Sequence, residues 1–262
     1  MNILSGPFLS SKSLEAGALD LFGSDFALSV AHLSIRLPDA DGRARELISD
    51  LSFTLGKNEI VALLGRSGAG KTTILNCIAG FIRPFAGRVT FPINQNSQKP
   101  PFGYLFQEDR LLPWRTAVSN VELSLERLKR PYRQHRSIAL QAIARVGLSG
   151  AADRYPWQLS GGMKARVALA RALALEAPLL LLDEPFGKLD PMIREEMHDL
   201  LLTLHRDIGF SALIVTHDVA EAALVADRAL ILDPNLGRVT EMAIDRARPD
   251  MAELLLKELK RS

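Results

Sequence analysis

Five short stretches of this chain hold side chains that could do chemistry together. Gly65-Arg66-Ser67-Gly68-Ala69-Gly70-Lys71-Thr72-Thr73 is a glycine-rich loop that closes on a lysine and two hydroxyls. Its glycines let the backbone turn N–H groups inward around phosphate oxygens, and a helix opening there adds the partial positive charge of its N-terminus. Lys71 would place a point charge on the β- and γ-phosphates of a nucleoside triphosphate, and the Thr72 hydroxyl is suited to coordinate Mg²⁺. Asp183-Glu184 ends the apolar run Leu179-Leu180-Leu181-Leu182. Strand C-termini in open α/β sheets point into the ligand crevice. Asp183 would then reach Mg²⁺ through water, with Glu184 beside it as the base or orienting group for an attacking water. The other three stretches are weaker alone. His217 follows the apolar run Ala212–Val215, yet a lone histidine is more often structural. Gln107 has an amide oxygen able to bind Mg²⁺ or water, and by itself is an ordinary loop glutamine. Ser160-Gly161-Gly162 opens a helix as a generic anion-binding start, and equally as a simple cap.

These residues need elements to hold them. Ile60–Leu64 is a continuous apolar run, which predicts a strand buried on both faces. The periodicity of Lys71–Ala79 predicts a helix, so the glycine-rich loop has the strand before and helix after that phosphate binding requires. Strands are also expected over Phe26–Ile35, Leu51–Leu55, Arg88–Phe91 and Gly103–Leu105, with a turn at Asp39–Gly42. Between Asp109 and Trp157 strand patterns vanish, and Val118–Leu128 and Ser137–Val146 read as amphipathic helices of an inserted lobe. Alternation then resumes, with helices at Gly161–Leu175, Met192–Asp207 and Val219–Ala226. Strands are expected at Leu179–Leu182, Ala212–Val215 and Ala229–Leu232. Such alternation argues for a mostly parallel sheet with helices on both faces. Beyond Val239 only a terminal helix, Asp250–Lys260, is expected.

Composition narrows the class. The 262 residues can bury a substantial core, and 47% hydrophobic with 24% charged is ordinary for a globular protein. A net charge of +2 is too small to argue for nucleic acid or an acidic membrane surface, and no nucleic-acid partner is expected. The single cysteine, Cys77, lies in an apolar helical stretch and is expected to be buried and inert in a reducing compartment. No apolar run approaches the roughly 20 residues of a membrane span, and the N-terminus lacks a signal-peptide pattern. A cytosolic chain is expected, attached to any membrane through a partner.

In this order, the glycine-rich loop, Leu159-Ser160-Gly161-Gly162-Met163 and the strand ending in Asp183-Glu184 resemble the ATP-binding cassette (ABC) ATPases, from about Phe26 to about Val239. The resemblance implies a P-loop NTPase core with a mostly parallel sheet, an antiparallel β subdomain and an inserted α-helical subdomain. Residues 1–25 would be an N-terminal extension, 26–262 the nucleotide-binding domain, and about 109–160 its helical part. It also implies ATP and Mg²⁺ as ligands, with Thr72, Gln107 and Asp183 on the metal. Glu184, His217 and Gln107 become the catalytic set, His217 as the switch histidine and Gln107 as the Q-loop glutamine. Ser160, Gly161 and Gly162 become the signature turn that covers the γ-phosphate held by the other subunit of a homodimer. Lys188-Leu189-Asp190 resembles the D-loop that crosses this interface. The remaining histidines, His32, His135, His198 and His205, match nothing and are assigned to surfaces.

Four positions depart from the family pattern. Met163 stands for the signature glutamine, Asn58 for a glycine before the P-loop strand, and Lys188 for a small D-loop residue. Leu37 occupies the position of the adenine-stacking aromatic. The tract Phe106-Gln107-Glu108-Asp109-Arg110-Leu111-Leu112-Pro113-Trp114 looks like the importer ATPases that serve nitrate, sulfonate and taurine uptake, where Met163 is familiar. The expected protein is the ATPase subunit of a bacterial importer. It would be peripheral at the cytoplasmic face of the inner membrane, working with a permease and, indirectly, a solute-binding protein. An exporter ATPase and a soluble non-transport ABC ATPase are the alternatives. Leu111, Leu112 and Trp114 are the candidate permease-docking residues, rimmed by Asp109, Arg110 and Arg115.

Overall fold

The computed structural model describes residues 26–38, 44–92, 100–126, 128, 131–233 and 238–262. The N-terminal extension and the turn expected at Asp39–Gly42 lie outside them. Nine strands are described, in chain order β1 (Phe26–Pro38), β2 (Ala44–Gly56), β3 (Ile60–Leu64), β4 (Ala86–Thr90), β5 (Phe102–Leu105), β6 (Leu179–Asp183), β7 (Ser211–Thr216), β8 (Arg228–Asp233) and β9 (Arg238–Ala243). The described α-helices are α1 (Lys71–Ile78), α2 (Ala117–Leu125), α3 (Tyr132–Arg145), α4 (Gly161–Leu173), α5 (Pro191–Ile208), α6 (Val219–Val225) and α7 (Met251–Arg261).

Two sheets form. One is six-stranded, in the order β5-β6-β7-β3-β8-β9. β5, β6, β7, β3 and β8 pair in parallel, and only the edge strand β9 runs antiparallel. Every residue of β3, β6 and β7 is buried, which explains why these strands read as unbroken apolar runs. The second sheet, β2-β1-β4, is antiparallel throughout. The expected α/β class with an antiparallel β part and added helices is the observed one.

The stretch inserted after β5 holds the α-helices α2 and α3 among its described residues. α2 and α3 pack on each other and both pack on α4, while α4 also contacts β5 and α5. α2 starts where Thr116 caps it, its side chain accepting from Ser119 N–H. The loop before α2 is fastened by Asn120, fully buried within the helix. Its amide accepts from Leu112 N–H at 2.7 Å and donates to the carbonyls of Leu112, Arg115 and Thr116.

Some expectations fail for physical reasons. β9 was not expected, because this edge strand is largely exposed and carries no clean apolar alternation. His135 and His198 are buried rather than on surfaces. His198 faces Glu221 on α6 at 3.1 Å and meets the edge of Phe186, so a complementary acid on a neighbouring helix offsets its burial. His135 sits against Tyr132, and its ring nitrogens make no hydrogen bond among the described residues; nothing in the structure explains why a histidine stands there. His205 is half-buried against Phe210, and His32 is exposed, as expected. Asn58 has φ +54°, a left-handed conformation that asparagine tolerates better than most residues, so it serves where a glycine would be usual. Cys77 is buried, and burial pushes its thiol up to about 11.

Candidate nucleotide-binding site

Parallel pairing puts the C-terminal ends of four strands on one rim. Leu64 of β3 pairs with Thr216 of β7, Asp183 of β6 with Val215, and Leu105 of β5 with Leu182. The next residues along each strand are Gly65, His217, Glu184 and, two past Leu105, Gln107. Spacing in sequence from 65 to 217 therefore collapses onto one edge of the sheet.

The glycine-rich loop joins β3 to α1. Gly70 caps α1 with φ +94°, which a side chain would strain, and no side chain caps the helix N–H groups. Those free donors are what an anion needs. A methyl group on Gly70 would also press to 3.2 Å from Leu47, so β2 lies directly over the loop. Arg66 and Ser67 are exposed, Ala69 is buried and closes a turn onto the Arg66 carbonyl at 3.1 Å, and Thr73 is half-buried. Lys71 is 5% exposed and donates through Nζ to the carbonyls of Gly65 and Arg66 at 2.8 and 3.0 Å. Burial lowers its pKa, opposed by the negative fields of Glu184 and Asp183.

Two contact chains complete the rim. Thr72 Oγ1 donates to Asp183 Oδ1 at 2.9 Å. Burial raises the Asp183 carboxyl, and the Thr72 hydrogen bond only partly offsets it. A hard cation beside this hydroxyl and carboxylate would relieve that burial, so the donor set fits one. Among the described residues, no group of three or more His, Cys, Asp and Glu side chains is placed to hold a metal. In the second chain, Gln107 Nε2 donates to Glu184 Oε2 at 3.0 Å, and His217 Nδ1 lies 3.1 Å from Glu184 Oε1. Glu184 itself has φ +43°, a strained backbone for a non-glycine residue, held by its N–H bond to the Val215 carbonyl at 2.9 Å.

Ser160 lies elsewhere, on the helical lobe. It caps α4, its Oγ accepting from Met163 N–H at 3.2 Å, and both Ser160 and Gly161 are exposed. Gly162 is required by packing, since a Cβ there would stand 2.6 Å from Ile193 of α5. The turn thus opens to solvent at the start of a helix that bears no acidic residue in its first turn.

Arg171, also on α4, carries no motif that sequence reasoning could use. Its Nη2 and Nη1 donate to the Asp109 and Arg110 carbonyls at 2.7 and 2.9 Å. Burial lowers its pKa, countered by Asp109. Arg110 stacks on Phe106, 4.1 Å from the ring centre. The segment after Gln107 is therefore gripped by the helix that Ser160 caps. Beyond it Trp114 is 70% exposed, while Leu111 and Leu112 are half-buried.

Leu37 of β1 pairs with Arg45 of β2 and is half-buried, packing on the same core cluster as Leu47. Phe85 is the ring contacted from this strand, and Arg36 covers it at 3.6 Å. An aromatic at position 37 would add a stacking surface of the kind worth about 1–3 kcal/mol for a base. Leu37→Tyr is expected to tighten ATP binding several-fold in a calorimetric titration. No change with Leu37→Tyr or with Arg36→Tyr would place the adenine elsewhere.

Comparison with known proteins agrees with this fold. Residues 48–187 match the family model described as ABC transporter. The taurine import ATP-binding protein TauB of Yersinia pestis bv. Antiqua is 46% identical over 205 residues, covering 77% of this chain and 80% of that protein. TauB of Pseudomonas entomophila is 41% identical over 217 residues, covering 82% of each. Among solved structures, cbiO1 from Clostridium perfringens, described as part of the ABC transporter complex cbiONQ, superposes with a TM-score of 0.73 at 26% identity, covering 90% of this chain and 93% of that one. The ATP-binding cassette MJ0796, a dimer bound to ADP and Pi, gives 0.70 at 29% identity, covering 83% and 99%. The chain belongs to the ABC transporter family, as one of its ATP-binding, ATP-hydrolysing subunits.

Proposed function

We propose that this chain powers a bacterial importer for small organic sulfonates of the taurine class, as a homodimer seated against a membrane permease. The observation that carries the catalytic part is the pair of contact chains at the sheet rim, Thr72–Asp183 and Gln107–Glu184–His217. Lys71 exchanges its two loop carbonyls for phosphate oxygens when ATP enters, so the loop keeps its shape while the charge finds its partner. Glu184 accepts a proton from the attacking water. Gln107 and His217, one on each of its oxygens, fix the carboxylate's orientation. Thr72, Asp183 and Gln107 would hold Mg²⁺, which when bound neutralises charge on the transferring phosphoryl group. Ser160, Gly161 and Gly162 of one subunit face the γ-phosphate on the other, at a helix start suited to an anion.

The importer reading rests on the 40–46% identity to TauB proteins and on the surface after Gln107. No described helix is long and apolar enough to cross a membrane, so the reading needs an integral-membrane partner. It places the subunit at the cytoplasmic face, with a solute-binding protein supplying solute on the far side. Trp114, held out by the Asn120-fastened loop, is the docking anchor. Trp114→Ala is expected to leave ATP binding unchanged and to weaken co-purification with the co-expressed permease about 30-fold, the loss of the ~2 kcal/mol typical of a central aromatic anchor. Cysteine crosslinks to the permease should form from positions 111 and 114. Crosslinks from the opposite face of the lobe alone, or a Trp114→Ala protein that still couples ATP hydrolysis to taurine uptake in vesicles, would remove this surface from the coupling path.

A further inference from the structure

Lys188 stands where the family usually has a small residue, and the structure gives it a partner. Its Nζ lies 3.2 Å from Glu108 Oε1. The two segments so joined are also joined one step away, where Gln107 donates to Glu184 at 3.0 Å. Glu184 and Lys188 lie on one tight turn. Gly187 N–H bonds the Glu184 carbonyl at 3.3 Å, and Leu189 N–H bonds the Phe186 carbonyl at 3.1 Å. Arg194 of α5 braces the same turn, donating to the Leu189 carbonyl at 3.0 Å. The facing segment is Gln107-Glu108-Asp109. Its next carboxylate, Asp109, is raised by burial and stabilised by the fields of Lys164, Arg171 and Lys188.

Past the paired ends of β5 and β6, the Gln107–Glu184 hydrogen bond is joined by the Lys188–Glu108 contact, and this second cross-link further constrains how the two segments meet. We infer that Lys188 is a positioning residue for hydrolysis, which through Glu108 fixes the angle at which Gln107 meets Glu184. It touches neither nucleotide nor water in this role. The inference rests on the proposed part of Glu184 in the chemistry, and it goes beyond it by giving the unusual lysine a task. Both side chains are well exposed, at 59% and 70%, so the effect on rate is modest and screened by salt.

The test is steady-state ATPase kinetics with Mg–ATP on the purified chain. Lys188→Ala and Glu108→Ala should each lower kcat about two- to five-fold, the ceiling for an exposed ion pair, with KM unchanged. Lys188→Arg should keep the wild-type rate. The double exchange Lys188→Glu with Glu108→Lys should recover most of kcat, and the difference between wild type and Lys188→Ala should shrink as NaCl is raised. Unchanged or increased kcat in both alanine variants overturns the inference. So does a double exchange no faster than the slower of its two single changes, because a lysine acting on another subunit or on phosphate would not be rescued by a charge at position 108. Glu184→Gln assayed alongside separates the two levels: a fully active Glu184→Gln protein sinks the catalytic reading itself, whereas an inactive one beside a normal Lys188→Ala sinks only the positioning role.

Discussion

A Glu184→Gln protein is expected to bind ATP as wild type does and to turn it over at least about 100-fold more slowly, the low end of what a positioned general base contributes. The substitution keeps the size of the side chain and can keep the contacts of Gln107 and His217, so folding and nucleotide binding survive it. What it removes is the proposed proton acceptor. The strained φ of +43° at this residue sharpens the expectation, since such strain persists only where surrounding bonds impose it, and here the Val215 carbonyl does so. Lys71→Ala should behave in the opposite way. Its Nζ is the buried positive charge of the glycine-rich loop, so its loss should weaken binding itself, read by titration with ATP and Mg²⁺. Single-turnover measurements distinguish the two, and a Glu184→Gln enzyme of normal turnover would contradict the assignment of the base.

The second large effect is on assembly. ATP with Mg²⁺ should convert the Glu184→Gln protein from monomer to dimer in sedimentation velocity, because unhydrolysed nucleotide stays between Lys71 of one subunit and Ser160 of the other. Adding Ser160→Arg should abolish the dimer. Ser160 and Gly161 are exposed and open, and Gly162 is packed against Ile193, so an arginine side chain at 160 has nowhere to go but outward, into the space the phosphate needs. The α4 N-terminus would also lose its cap, at a cost of about 1 kcal/mol, which is a local loss in a helix buried along most of its length. Retained ATP binding by the double variant would show that the fold is intact. Dimers persisting in it would place the interface on another face.

How much of this was legible beforehand follows from what each signal depends on. β3, β6 and β7 could be read because strands buried on both faces leave continuous apolar runs, and the glycine-rich loop because its geometry needs particular residues at fixed spacing. His217 and Gln107 had no local signature; only resemblance pointed to them, and parallel pairing then accounts for their meeting at Glu184. β9 escaped because an exposed edge imposes little on side chains. His198 was misassigned because the burial of a polar group depends on a partner, Glu221, on another helix. Asn120 and Arg171 were invisible for the same reason. Each satisfies backbone carbonyls whose need for a donor exists only once the loop before α2 is folded.

The Arg171 clamp has a consequence for a paired assembly. α4 begins at the turn that Ser160 caps and, thirteen residues long, spans about 20 Å before it ends. Near its far end Arg171 holds the stretch that follows Gln107, the side chain that meets the subunit's own Glu184. A packed helix moves as a rod rather than bending in the middle. In the proposed dimer, a shift of Gln107 on ATP binding would be carried along this rod to the turn at Ser160, and a push on that turn would travel back. Reciprocity of coupling free energies would then make the two halves of the proposed dimer a single titrating unit, each site carrying news of the other's occupancy.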